Sequence, residues 1–187
     1  MTGFIQFANH LSPLDKGAND DLLHQLKTKT LDKGDHLLRN GEVCRNIYFI
    51  DKGLVKTYFN KEDKEFIMRF FPENSMFTVL DSFFTQIAST YAVKALEETS
   101  ITYISKPGMD ELCKTHHCME TFFRKLIFLG SINMMKRISE MLEENGTERY
   151  NNFVEENNPL MQRISLGDLA NYLGITQVSL SRIRARK

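Results

Sequence analysis

The residues best suited to chemistry lie at the C-terminal end of the sequence, in the segment SLGDLANYLGITQVSLSRIRARK. Gln177 and Arg182 carry side chains that can form paired hydrogen bonds with the edges of adenine and guanine in the major groove of DNA. Ser179 and Ser181 are short polar residues on the same stretch. We therefore predict base contacts from these four residues, provided that a helix presents them to the groove.

A second set of residues in this segment suits phosphate rather than bases. Between positions 160 and 187 the chain has five basic residues and one acid, although the 24 basic and 24 acidic residues of the whole sequence cancel. Basic and hydroxyl side chains beside a recognition helix commonly bind the phosphate backbone. The predicted phosphate contacts are Thr176, Arg184, Arg186 and Lys187. A solvated helix end, where the macrodipole favours basic residues, is the alternative for the last three.

Two short helices and a tight turn must position these side chains. Ser165 and Asp168 have the spacing of a capping box, which predicts the start of the first helix. Gly174 predicts a left-handed turn that ends it, and Thr176 predicts the cap of the second helix. This pattern is typical of a helix-turn-helix. The residues predicted to face inward are Leu166, Leu169, Ala170, Leu173, Val178, Leu180 and Ile183.

Residues 28–105 have the pattern of many short strands, which favours a β-roll or barrel. Glycines at 34, 41 and 53 separate short apolar runs and supply the conformations that tight turns require. One short helix, Leu80–Thr85, is predicted to interrupt the strands. Ahead of them, Ser12 is predicted to cap a helix over residues 12–27.

The stretch Met119–Glu144 has the longest helical pattern and carries two apolar stripes. A surface helix needs only one such stripe, so the second predicts a partner, most simply the same helix of another subunit. Complete burial within one monomer is the alternative. The residues predicted to form this dimer helix contact are Phe123, Ile127, Met134, Ile138 and Met141.

Two motifs together resemble a known family. The segment LGDLANYLGITQVSLSRIRARK resembles the helix-turn-helix of the cyclic-AMP receptor protein/fumarate-nitrate regulator (CRP/FNR) superfamily. The segment KGDHLLRNGEVCRNIYFIDKGLVKTYF, Lys33–Phe59, resembles the start of its cyclic-nucleotide-binding β-roll. The resemblance implies an α+β fold: an N-terminal double-stranded β-helix, or jelly-roll, a long dimerisation helix and a C-terminal helix-turn-helix. The expected divisions are 1–110 for the effector domain, 111–145 for the dimerisation region and 146–187 for the DNA-binding domain.

The resemblance also implies partners. It implies a bacterial homodimer that binds a double-stranded DNA operator with two-fold symmetry, and it admits RNA polymerase as a further partner. Because the sequence stops at Lys187, the β-hairpin wing that commonly follows the recognition helix is not expected. A small effector in the β-roll is implied, and no cofactor is expected.

The residues that would hold such an effector depart from the family pattern. Members that bind cyclic AMP carry a Gly-Glu pair and, further along, an Arg followed by Ser or Thr. Matching places Asn74 and Ser75 near the first pair, and Ser89 and Thr90 at the second. Since a buried phosphate without its Arg loses a charge-assisted contact, cyclic AMP is not the expected ligand. A different ligand, or none, is expected at these four positions.

Other classes of function lack their sequence signals. No second cluster accompanies Cys113, His116, His117 and Cys118 to complete a tetrahedral metal site, so no metal is predicted. Neither a phosphate-binding loop nor a nucleophile motif occurs, so an enzyme is not predicted. Without a signal peptide or a long apolar run, the protein is expected to be cytoplasmic, with no membrane partner. The remaining alternative is an effector-sensing or interaction module with a degenerate DNA-binding domain.

Overall fold

Two antiparallel sheets form the centre of the computed structural model, which describes residues 2–62 and 64–185. The strands within those residues are β1 (Lys27–Leu31), β2 (His36–Leu38), β3 (Asn46–Lys52), β4 (Val55–Lys61), β5 (Lys64–Phe71), β6 (Met76–Phe77), β7 (Ala92–Ala95) and β8 (Thr99–Ser105). One sheet has the order β1-β8-β3-β6 and the other β2-β7-β4-β5. Strands distant in sequence therefore pair, as in Ile47 with Ile104, and the predicted jelly-roll is confirmed.

Helices precede, interrupt and follow these strands. They are α1 (Thr2–Leu11), α2 (Lys16–Gln25), α3 (Leu80–Thr85), α4 (Lys106–Thr115), α5 (His117–Glu143), α6 (Gly146–Asn157), α7 (Leu166–Leu173) and α8 (Gln177–Ala185). The bounds of α3 are those predicted from the sequence, and α5 confirms the predicted long helix. Asn145 separates α5 from α6, because its side chain accepts hydrogen bonds from the backbone N–H groups of Thr147 and Glu148.

The N-terminal region differs from its prediction. Two helices occupy it, and the cap of α2 is Asp15, whose Oδ1 accepts a hydrogen bond from Ala18 N at 2.8 Å. Ser12 is buried in the turn before it, so the predicted cap at Ser12 is wrong. The physical reason is the Asn9 side chain, which accepts a hydrogen bond from Leu14 N and holds residues 12–14 out of the helix.

A first hydrophobic core lies between the sheets and the helices that cover them. Phe4 and Leu22 contribute from α1 and α2, Phe49 and Ile101 from the sheet, and Phe122 from α5; all five are almost fully buried. Burying an aromatic or large aliphatic side chain contributes roughly 1.5–3 kcal/mol. This core therefore fixes the first turns of α5 against the β-roll.

A second core joins the β-roll to the helix-turn-helix unit, which we define as residues 146–185: α6, a 3-10 helix (Asn158–Gln162), α7 and α8. Tyr58, Ile67 and Phe70 of β4 and β5 pack with a set of buried residues from that unit. That set is Tyr150, Phe153, Leu160, Leu169, Ala170, Leu173 and Leu180. We call this cluster the shared core, because neither part of the chain completes it alone.

Candidate DNA-binding surface and effector cavity

The first helix of the motif forms as its sequence predicts. The Ser165 side chain accepts a hydrogen bond from Asp168 N at 3.0 Å, which caps α7. Leu169, Ala170 and Leu173 are buried in the shared core. Gly174 ends the helix with a φ of 66°, in the left-handed region that glycine adopts without strain. The predicted cap, inward residues and turn are thus confirmed for this helix, apart from Leu166, which is 46% exposed.

The second helix, α8, presents most of its predicted contact residues to solvent. Ser179 N donates a hydrogen bond to Thr176 Oγ1 at 3.1 Å, so Thr176 caps the helix as predicted. Leu180 is buried and anchors the inner face. The Ser179 hydroxyl is half-buried and accepts a hydrogen bond from Thr176 Oγ1 at 3.0 Å. The predicted contact residues whose side chains are exposed are Thr176, Gln177, Ser181, Arg182 and Arg184.

Val178 lies on the outer face, so the prediction that it faces inward is wrong. Its side chain is 61% exposed. The reason is helical geometry: positions three and four residues apart share a face, so Val178 lies beside Ser181 and Arg182. This spacing is the sequence signal that could have assigned Val178 to the outer face of α8. Arg186 and Lys187 lie outside the described residues.

The charge on this surface is positive. No ion pair within residues 2–62 and 64–185 involves Arg182 or Arg184. Asp168, the one acid of this segment, turns away and its Oδ1 lies 2.6 Å from Lys56 Nζ of β4. Two arginines on the exposed face are therefore left to attract an anionic surface.

Two ion-pair clusters hold the helix-turn-helix unit on the β-roll. Lys56 lies between Asp168 and Glu65, with its Nζ 2.7 Å from Glu65 Oε1. Arg163 donates hydrogen bonds to Glu73 at 2.8 and 2.9 Å and to Glu97 at 2.6 and 3.3 Å. The hydrogen bonds to Glu97 raise the pKa of Arg163 most, and those to Glu73 raise it further. Both clusters lie at the edge of the shared core and fix the orientation of α7.

The long helix α5 exposes a broad apolar surface. Met134, Ile138 and Met141 of the predicted dimer contact are 50%, 55% and 42% exposed. Phe123 and Ile127 are half-buried, and Phe123 stacks on Phe84 of α3. A neighbouring stripe that the sequence analysis did not assign is at least as exposed. Its residues are Phe128, Ile132, Met135 and Leu142.

A cavity of about 570 Å³ lies where β5, β6, α5 and the helix-turn-helix unit meet. Asn74 and Ser75, two of the predicted effector residues, line it from the β5–β6 turn. Its volume is within the roughly 300–1,000 Å³ that small-molecule sites usually have.

Comparison with known proteins shows what these features are similar to. Residues 28–116 match the family model "Cyclic nucleotide-binding domain". The chain is 23% identical to Electron transport regulator A of Shewanella oneidensis, over 98% of this chain and 74% of that protein. In fold it resembles FixK2 from Bradyrhizobium japonicum, with a TM-score of 0.74 at 17% identity, over 86% of this chain and 83% of that one. It also resembles a CRP/FNR-family regulator structure from Eubacterium rectale, with a TM-score of 0.73 at 17% identity, over 91% and 82% of the two chains.

This chain therefore shares the fold of these two regulator structures. Both the strand region and the helices that follow it take part in the structural match, since it covers most of the chain.

The four predicted effector residues do not come together. Ser89 and Thr90 do not line the cavity. The Ser89 hydroxyl accepts a hydrogen bond from Tyr91 N at 2.9 Å, and the Thr90 carbonyl accepts one from the Asn40 side chain at 3.0 Å. These contacts make Ser89 and Thr90 part of the loop before β7, apart from Asn74 and Ser75.

Cysteine and histidine residues lie near the start of α5, where no metal site was predicted. Cys118 Sγ lies 3.2 Å from Asp15 Oδ2, and His116 Nε2 lies 2.8 Å from Asp21 Oδ2. Within residues 2–62 and 64–185, no group of three His, Cys, Asp or Glu side chains is arranged to hold a metal ion. In the same part of the chain, no helix has the length and apolarity needed to cross a bilayer.

Proposed function

We propose that the chain is a homodimeric transcription regulator that recognises specific DNA through α8. The observation that carries this proposal is the exposed face of α8. The helix is capped by Thr176 and anchored by Leu180, while Arg182 and Arg184 remain outside the ion pairs of the described residues. A rigid helix with unneutralised arginines and short polar side chains suits the major groove.

The roles of the side chains follow from their positions. Gln177, Ser181 and Arg182 contact base edges, and Ser179 contributes once its hydroxyl turns from Thr176. Thr176, Arg184, Arg186 and Lys187 bind phosphates. Val178 is an exposed apolar residue on the same face. It contacts the methyl group of a thymine, which is an apolar group exposed in the major groove.

Dimerisation through α5 gives the two-fold symmetry of the operator. An apolar stripe that is 58–80% exposed, from Phe128 to Leu142, needs a partner, and a second copy of α5 supplies the same chemistry. In such a dimer the two copies of α8 would read half-sites about one helical turn, ~34 Å, apart. The proposed divisions are 1–110 for sensing, 111–145 for dimerisation and 146–187 for DNA binding. An effector bound beside α5 regulates the dimer, and RNA polymerase is a further partner.

The first test selects DNA sequences from a random library with the purified protein and measures affinity for the selected site. We expect a two-fold-symmetric sequence, and a log affinity that falls steeply with log salt concentration. Arg182→Ala should lower the affinity for the selected site by about 1–3 kcal/mol and relax the preference at one position.

Arg39→Ala is the matched control, because the Arg39 side chain is exposed in the β-roll, on β2's C-terminal side. It should leave both affinity and preference unchanged. If no sequence is selected, or if Arg182→Ala behaves like the control, the DNA-reading role of α8 is refuted. The first of these results would favour an effector-sensing or interaction module.

A further inference from the structure

The cavity between the β-roll and the helix-turn-helix unit has two chemically different sides. One side is apolar and flexible, formed by Met68, Phe71, Met76, Phe77, Leu129 and Met134. Methionine adapts its shape to irregular ligands better than branched side chains do. This side therefore suits a flexible hydrocarbon chain more than a rigid polar ring.

The other side carries polar side chains without partners. These are Arg69, Ser75, Asn133, Asn157 and Tyr172, all half-buried and all lining the cavity. The structure gives none of their polar side-chain atoms a hydrogen bond within residues 2–62 and 64–185. All five side chains keep some exposure to water, so a ligand in the cavity would replace water as their hydrogen-bond partner. Each of the five side chains can donate a hydrogen bond.

The net charge of the residues that line the cavity indicates the sign of the ligand's charge. Lys136 pairs with Glu156 at 2.6 Å, and Arg137 pairs with Glu140 at 3.3 Å. These four charges cancel. Arg69 is the remaining cation of the lining, and its guanidinium lies 5.9 Å from the centre of the Phe71 ring. Burial raises the pKa of Tyr172, which keeps its hydroxyl protonated as a donor.

We propose that this cavity binds an alkyl carboxylic acid, with the carboxylate on Arg69 and the hydrocarbon chain among the methionine and phenylalanine side chains. Cyclic nucleotides fit less well, because their polar ring system would meet the methionine-rich side. The walls of the cavity come from β5, α5 and Tyr172 of α7, so the ligand contacts all three parts of the molecule. Regulation of DNA binding by this ligand rests on the proposed function, but binding of the ligand to the cavity does not.

Calorimetric titration of the full chain with dodecanoate, below its micelle concentration, tests the proposal without DNA. Dodecanol is the matched uncharged probe, and cyclic AMP is the competing one. We expect saturable binding of dodecanoate, and binding of dodecanol weaker by about tenfold, since a charge-assisted hydrogen bond is lost. Arg69→Gln should weaken dodecanoate by a similar factor and leave dodecanol unchanged. Arg124→Gln, a change on α5 outside the cavity, should alter neither.

A second variant blocks the cavity without weakening the fold. Gly130 lies on α5 in the lining, and the nearest atom to an added Cβ, Leu80 Cδ1, is 3.9 Å away. Gly130→Met therefore fits the helix, improves its propensity and fills the space. It should abolish binding of both probes. The proposal is overturned if dodecanoate does not bind, if dodecanol binds equally well, if Gly130→Met still binds, or if cyclic AMP displaces dodecanoate.

Discussion

Replacing Lys56 with methionine tests whether the ion-pair cluster holds the helix-turn-helix unit in place. The Lys56 side chain is 8% exposed, and its Nζ lies 2.6 Å from Asp168 and 2.7 Å from Glu65. Burial lowers the pKa of Lys56, but the hydrogen bonds to Asp168 and Glu65 outweigh it and leave the pKa raised, so the lysine is charged. Methionine keeps the hydrocarbon stem and leaves two carboxylates facing each other without a cation.

The expected cost is set by those two carboxylates. Removing one partner of a fully buried pair costs about 3–5 kcal/mol. Because the Asp168 and Glu65 side chains retain 16% and 26% exposure, water relieves part of the repulsion. We therefore expect Lys56→Met to lower the free energy of unfolding by about 3 kcal/mol. With a typical urea dependence for a chain of this size, the midpoint should fall by about 1–2 M.

Urea unfolding followed by far-ultraviolet circular dichroism measures this loss. Lys52→Met is the matched control, since Lys52 and Glu98 form an exposed pair at 3.5 Å and should contribute less than about 1 kcal/mol. Adding Glu65→Gln and Asp168→Asn to Lys56→Met should recover about 2 kcal/mol, because no unpaired charge remains. The reasoning fails if Lys56→Met costs no more than the control, or if the triple variant is no more stable than the single one.

Four further outcomes are expected from other parts of the chain. Gly53→Ala should lower the free energy of unfolding by about 2–4 kcal/mol, because φ is 99° and the new Cβ would lie 2.5 Å from Thr99 Oγ1. The control is Gly34→Ala, where φ is 97° but the new Cβ meets open space; it should cost about 1 kcal/mol in the same urea titration. Burial raises the pKa of Glu73, but the hydrogen bonds from Arg163 outweigh it and hold the pKa below its ordinary value. The stability that Glu73 contributes is therefore present above the ordinary carboxyl pKa and lost as pH falls through the lowered one, and Glu73→Gln should flatten the acid end of the stability profile. Ile132→Glu should shift sedimentation from dimer to monomer at a concentration where the parent chain is dimeric. Replacing thymine with deoxyuridine in the selected DNA site should weaken binding, and Val178→Ala should remove that difference.

Local signals explain why parts of the fold were predictable. The Ser165 cap, the left-handed Gly174 and the Thr176 cap each depend on residues within a few positions of one another. The short helix α3 was also predicted with its observed bounds, although no side chain caps its start. Such signals act through backbone hydrogen bonds and steric limits that a nearby sequence determines almost alone.

Two of the missed features were local, and the third depends on contacts between distant segments. The predicted Ser12 cap is wrong because the Asn9 side chain accepts a hydrogen bond from Leu14 N. Val178 was assigned to the inner face of α8, but Leu180 is the buried residue of that face and Val178 is exposed. The cavity could not be predicted, since it exists only because α7 docks on β5. Its docking involves residues as far apart as Lys56 and Asp168, which are 112 positions apart. No local pattern encodes a pairing at that separation.

The shared core has a consequence for how the molecule unfolds. Phe70 of β5 contacts both Phe153 and Tyr172 through ring pairs at 6.2 and 5.3 Å, so the helical segment completes its interior on the surface of a strand. Segments that complete one another's interior open together. Backbone amides in α7 should therefore exchange with deuterium as slowly as those in β4, and calorimetric melting should show one transition. A fragment ending at Glu144 would leave Tyr58, Ile67 and Phe70 uncovered, and should aggregate rather than persist as an autonomous domain.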